Sequence, residues 1–141
     1  QNLAYILSKD ESKVLIIDCN LRKPSMHSMF SIENNVGLTD VLSGSCDLEK
    51  AIKNIEESLF LITSGSIVDK PSEILGSDTM KELLESVSNN FDYIIIDTSS
   101  ILVVSDTLLL ATQTDATIIV ANTKKTTTAK TSKTKKSTSD K

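Results

Sequence analysis

Two carboxylates stand where a parallel sheet would hold a ligand. Asp18 ends the apolar run Val14-Leu15-Ile16-Ile17, and Asp97 ends Tyr93-Ile94-Ile95-Ile96. Four or five apolar, mostly β-branched residues between polar flanks read as buried strands of a parallel sheet. Open parallel sheets bind their ligands at the carboxyl ends of the strands, where both aspartates fall. A carboxylate there is placed to hold a magnesium ion on a nucleotide phosphate. The glycine-rich phosphate loop that should accompany such carboxylates does not occur in these 141 residues.

The elements that must position the two aspartates alternate along the chain. Residues 1–8 read as a helix with apolar positions at Leu3, Ala4, Ile6 and Leu7. Residues 14–19 form the first strand, and 20–32 a loop with Arg22, Lys23 and Pro24. Residues 36–42 read as a short helix stopped by Gly44. Asp47 is placed to cap a helix over 48–55. Residues 59–63 are the second strand, followed by Ser64-Gly65-Ser66. The strongest helix runs over 71–88, with Ser72 as its cap and Ile74, Leu75, Met80, Leu83, Leu84 and Val87 as its stripe. Gly76 predicts a break within it. Residues 93–97 are the third strand, with Tyr93 in the core; 106–112 form a helix and 117–121 a fourth strand. Such alternation predicts an α/β domain with a mainly parallel sheet. Right-handed crossovers then restrict its topology.

Charge divides the chain in two. Residues 122–141 hold seven lysines against one aspartate, a net +6, so with −4 overall residues 1–121 carry −10. The first part, 1–121, reads as an acidic folded domain. The Lys/Thr/Ser-rich part, 122–141, lacks the apolar residues to fold alone and reads as a disordered tail, with contact to anionic lipid as the minor alternative. Cys19 and Cys46 lack metal-ligand spacing and read as reduced thiols of a cytoplasmic protein. No apolar run approaches the roughly 18 residues of a membrane span. No nucleic-acid partner is expected.

Several residues carry two readings. Asp18 serves a metal or caps a loop, and Asp97 is similar. Asn20 binds a ligand or turns the chain. Arg22 and Lys23 act together or form a solvated pair. Ser64-Gly65-Ser66 binds phosphate or is a plain turn. Asp106 is placed to cap its helix, and His27 reads as a loop histidine.

Four ordered segments resemble the bacterial tyrosine kinases that control capsule and exopolysaccharide synthesis. Val14-Leu-Ile-Ile-Asp-Cys-Asn-Leu-Arg-Lys-Pro24 is similar to the family's second Walker motif, a strand followed by Asp-x-Asp-x-Arg. Val36-Gly-Leu-Thr-Asp-Val-Leu-Ser-Gly44 and residues 63–77 match two further segments. Phe91-Asp-Tyr-Ile-Ile-Ile-Asp-Thr98 resembles the Walker B strand. The resemblance covers roughly residues 1–127. It implies a three-layer P-loop fold related to the MinD and ParA ATPases, and transfer of the ATP γ-phosphate to tyrosine with Mg2+. By position it implies that Asp18 lies near magnesium and the attacking hydroxyl. Arg22 would stabilise charge or link subunits, and Asp97 would hold magnesium through water. Asn20 would contribute to cofactor binding. The partners implied are sister kinase subunits in a homo-oligomer and a membrane adaptor, the polysaccharide co-polymerase. The location implied is the cytoplasm, at the inner face of the membrane through that adaptor.

The chain departs from this family in three places. The Gly-x-x-x-x-Gly-Lys-Ser/Thr loop would precede Gln1, so the domain is expected to be incomplete at both ends and inactive alone. Asn20 replaces the second aspartate, and Ser99-Ser100 replaces a Pro-Pro pair. The only tyrosines are Tyr5 and Tyr93, so the family's C-terminal tyrosine cluster is missing. These departures keep open a second reading, a non-catalytic, pseudokinase-like remnant that binds kinase subunits or their adaptor; a third and weaker one, a MinD/ParA-type ATPase, is opposed by Leu21-Arg22-Lys23-Pro24 and by the Pro71–Gly76 segment.

Overall fold

A central strand flanked by two parallel neighbours builds the domain. The computed structural model describes residues 2–9, 11–99 and 106–120. Its elements are α1 (Asn2–Ser8), β1 (Val14–Asp18), α2 (Met26–Met29), α3 (Leu38–Leu42), α4 (Leu48–Ala51), β2 (Ile52–Glu56), β3 (Leu59–Ile62), α5 (Pro71–Leu75), α6 (Asp78–Ser88), β4 (Tyr93–Asp97) and α7 (Asp106–Ala111). The strand order is β2-β3-β1-β4. β1 runs parallel to both β3 and β4, and β2 runs antiparallel to β3.

Because side chains alternate along a strand, β1 feeds two cores. Leu15 and Ile17, with Cys19 just beyond the strand, pack with Leu38 of α3, Leu75 of α5, Met80, Leu83 and Val87 of α6, and Leu110 of α7. Val14 and Ile16 pack on the other side with Ala4 of α1, Met26 of α2, and Leu59 and Leu61 of β3. The result is helix, sheet, helix, the three-layer α/β architecture expected. All five residues of β1 are buried, whereas all of β4 is at least partly exposed.

The break foreseen at Gly76 is present. α5 ends there, and Ser77 opens α6 by accepting the Met80 amide on its hydroxyl at 3.3 Å. Gly44, with φ +76°, follows α3 in the left-handed conformation that favours glycine.

Four expectations are corrected. The helix over 48–55 stops at Ala51, and Ile52–Glu56 turns into a strand. Ile52 and Ile55 are three apart, which mimics a helical stripe, but pairing with β3 decides the outcome. Residues 117–120 form no strand, and Ile118, Ile119 and Val120 are exposed. Tyr93 is 46% exposed because β4 pairs on one side only among the described residues. Neither Ser72 nor Asp47 caps a helix through its side chain; Asp47 instead binds Lys50 Nζ at 2.6 Å. The tail reading of 122–141 lies outside the described residues.

Candidate functional site

The parallel pairing of β1 and β4 sets Asp18 directly beside Asp97. Both follow the alternation of Val14, Ile16 and Ile95, so both carboxylates emerge on the sheet face covered by α1 and α2. Cys19 lies on the opposite face, and its amide donates to the Asp97 carbonyl at 2.8 Å. This bond carries the strand pairing one residue past β1, where the loops begin.

Asp18 is completely buried. Its Oδ1 accepts the Asn20 amide at 3.1 Å and its Oδ2 the Met26 amide at 3.2 Å. Burial pushes the Asp18 carboxyl above the ordinary aspartate range, against the pull of the Met26, Asn20 and Ser25 amides and of His27. Burial also raises Asp97, and the Asp18 charge beside it raises it further. Among the described residues no lysine or arginine forms an ion pair with either carboxylate. Two adjacent acids with raised affinity for protons, and with no lysine or arginine ion-paired to them among the described residues, make a site of negative potential.

That potential suits a hard divalent cation. The donors are carboxylate oxygens, and among the described residues no cluster of three or more His, Cys, Asp or Glu could hold a metal. Two carboxylates suit magnesium, which keeps several waters and takes its other ligands from phosphate oxygens.

The remaining expected site residues diverge. Asn20 sits next to the pair, but its side-chain Oδ1 accepts the Lys23 amide at 3.3 Å, which shapes the turn. Arg22 donates from Nε to Asp106 Oδ2 at 3.1 Å and from Nη2 to Ser72 Oγ at 3.1 Å. Asp106 is buried at the start of α7 and also accepts the Ser72 hydroxyl. Sequence reasoning placed both Ser72 and Asp106 as caps and missed their joint role with Arg22, since contacts across 34 and 84 residues leave no local pattern. His27 lies in the single turn of α2, with its buried Nδ1 unpaired among the described residues.

Ser64-Gly65-Ser66 is a structural turn in which the Gly65 and Ser66 amides are already used. Gly65 N donates to Asn34 Oδ1 at 2.9 Å, and Ser66 N to Asp40 Oδ2 at 3.2 Å. Asp40 also accepts the Gly37 amide and the Ser66 hydroxyl. Burial alone would raise Asp40, but these bonds from Ser66 and Gly37 outweigh it and hold the carboxyl below its usual range. The knot admits no extra atom: a Cβ on Gly37 would collide with the Thr63 carbonyl oxygen and the Gly65 amide.

A family model described as AAA domain matches residues 1–135. The tyrosine-protein kinase YwqD of Bacillus subtilis (strain 168) is 40% identical over 126 residues, which cover 89% of this chain and 53% of YwqD. The kinase domain of Escherichia coli tyrosine kinase ETK superposes with a TM-score of 0.75 at 35% identity, over 79% of this chain and 44% of that one. The septum site-determining protein MinD from Pyrococcus horikoshii OT3, solved in complex with Mg-ADP, superposes with a TM-score of 0.58 at 26% identity, over 70% of this chain and 41% of that one. The chain thus spans about half the length of YwqD.

Proposed function

The chain belongs to the AAA-domain family, and within it to the bacterial tyrosine kinases, and from that premise we propose that it supplies the magnesium-binding half of an ATP-dependent protein-tyrosine kinase of capsule or exopolysaccharide synthesis. The observation that carries this reading is the pairing of Asp18 with Asp97 at the carboxyl ends of β1 and β4. Magnesium bound there would neutralise charge on the ATP phosphates, the main requirement of phosphoryl transfer. Asp18, fixed by two amides, would orient the attacking tyrosyl hydroxyl or accept its proton. Asp97 would hold the metal through water. Asn20 would keep the Asp18 loop turned toward the cofactor. The tyrosine substrate, the sister subunits and the membrane adaptor belong to the same proposal, as does a cytoplasmic site at the membrane surface. Among the described residues no helix is long and apolar enough to cross a membrane.

Binding of Mn2+, a spectroscopic stand-in for Mg2+, tests the reading. Titration of the 141-residue chain followed by electron paramagnetic resonance should show one site, lost in Asp97→Asn. The chain by itself should phosphorylate no tyrosine, since it contains no Gly-x-x-x-x-Gly-Lys-Ser/Thr loop. Absence of any Mn2+ site would favour the second reading, a non-catalytic partner of kinase subunits. The commitment of the Asn20 carboxamide to a local turn favours that alternative.

A further inference from the structure

Two loops leave the candidate site, one after Asp18 and one after Asp97, and both are tied to the first turn of α7. On one side Asp106, 3% exposed, binds Arg22 Nε at 3.1 Å and accepts the Ser72 hydroxyl. Arg22 Nη2 reaches the same hydroxyl at 3.1 Å, so guanidinium, hydroxyl and carboxylate close a triangle. On the other side the adjoining Thr107 donates to the Ser99 carbonyl at 2.9 Å, with its Oγ1 3.3 Å from Thr98 Oγ1. Thr107 is itself buried.

The chemistry makes this a stiff connection. A buried carboxylate is costly to leave unpaired, so Asp106 holds Arg22 firmly. The guanidinium presents donors in a fixed fork, which sets direction as well as distance. Asp106 and Thr107 are neighbours on one helical turn, so α7 cannot shift toward one loop without shifting relative to the other. We infer that Arg22, Ser72, Asp106 and Thr107 form a clasp that couples the Asp18 loop to the Asp97 loop. Arg22 is then a positioning residue that sets the mutual placement of the two carboxylates. Its functional consequence rests on the magnesium reading above; the coupling itself belongs to the metal-free protein.

Amide hydrogen exchange by NMR on the metal-free 141-residue chain tests the coupling. Thr107→Val keeps the side-chain shape and removes the hydroxyl. The amides of Asn20 and Met26, which bind Asp18 on the far side of the clasp, should then exchange about three- to tenfold faster, the scale of one lost hydrogen bond. The core amides of Ile16 and Leu61 should keep their rates, and Thr107→Ser should restore the original exchange. Reciprocally, Arg22→Lys, which keeps a cation beside the buried Asp106 carboxylate but loses the guanidinium fork, should shift the Thr98 and Ser99 amide resonances. Changes confined to residues 98–107 in Thr107→Val would overturn the inference. So would a uniform rise across all amides, which marks a loss of global stability alone. Coupling seen in a chain that binds no Mn2+ would sink the magnesium reading and leave the clasp standing.

Discussion

Replacing Asp97 by asparagine should stabilise this domain while removing the proposed magnesium site. Asp97 and Asp18 face each other across paired parallel strands, which lie about 5 Å apart. Two unit charges at that spacing repel by about 3 kcal/mol at an effective dielectric constant of about 20. Asp97 is only half-buried, so solvent screening brings the expected gain down to about 1–2 kcal/mol. The gain should depend on pH in a definite direction. Both carboxyls titrate above their ordinary value in the folded chain. The folded state therefore takes up protons before the unfolded one as pH falls, and their mutual repulsion is relieved. The advantage of Asp97→Asn should be full at pH 7 and shrink as pH drops through the raised Asp97 range. Urea unfolding at pH 7 and at pH 4.5, each with unchanged slope, measures it. Asp18→Asn should gain less, because one amide oxygen replaces two carboxylate oxygens that each accept a backbone N–H. An Asp97→Asn chain less stable than the parent at pH 7 would refute the account of the site as unpaired negative charge.

Other perturbations probe the scaffold. Gly37→Ala should cost about 1–3 kcal/mol in urea unfolding, because the new Cβ meets backbone atoms that cannot swing away. Ser77→Ala should cost about 1 kcal/mol by leaving the Met80 amide of α6 uncapped. Asp40→Asn should weaken the turn after β3. The contribution of Asp40, a carboxyl held below its usual range, should be present at neutral pH and lost as pH falls through that lowered value, as an acid titration of stability would show. With iodoacetamide, Cys46 should react in the folded chain. Cys19 should react only on unfolding, since it is buried and burial pushes its thiol up.

The two aspartate strands were legible in the sequence because each is short, apolar and ended by a charge. Strand β3, the break at Gly76 and the helices at both ends were legible on similar local grounds. What escaped was decided by distant partners. Ile52 to Glu56 carries a helix-like spacing and becomes a strand through its pairing with β3, with a register shift between Asn54 and Glu56 that spoils the alternation a reader would look for. Thr117-Ile118-Ile119-Val120 has strand composition, yet a strand needs a neighbour's hydrogen bonds, and residues 117–120 form none of that kind. At the site, the positions of Asp18 and Asp97 could be read from their strands. The ties of Arg22 to Ser72 and Asp106 span 50 and 84 residues, beyond the reach of any local motif.

The two flanks of the sheet differ in how they would meet another molecule. On the β2 side, Lys53, Asn54 and Glu56 and the irregular register discourage a further strand. On the β4 side, the described residues present the straight run Tyr93-Ile94-Ile95-Ile96, partly exposed along its whole length. In concentrated solution this asymmetry limits the form that self-association takes. Among the described residues no strand pairs with the outer edge of β4, so two copies would meet through these flanks, each then presenting outward a flank that discourages pairing. Crowding should therefore drive this chain toward closed pairs and leave extended fibres without a growing end.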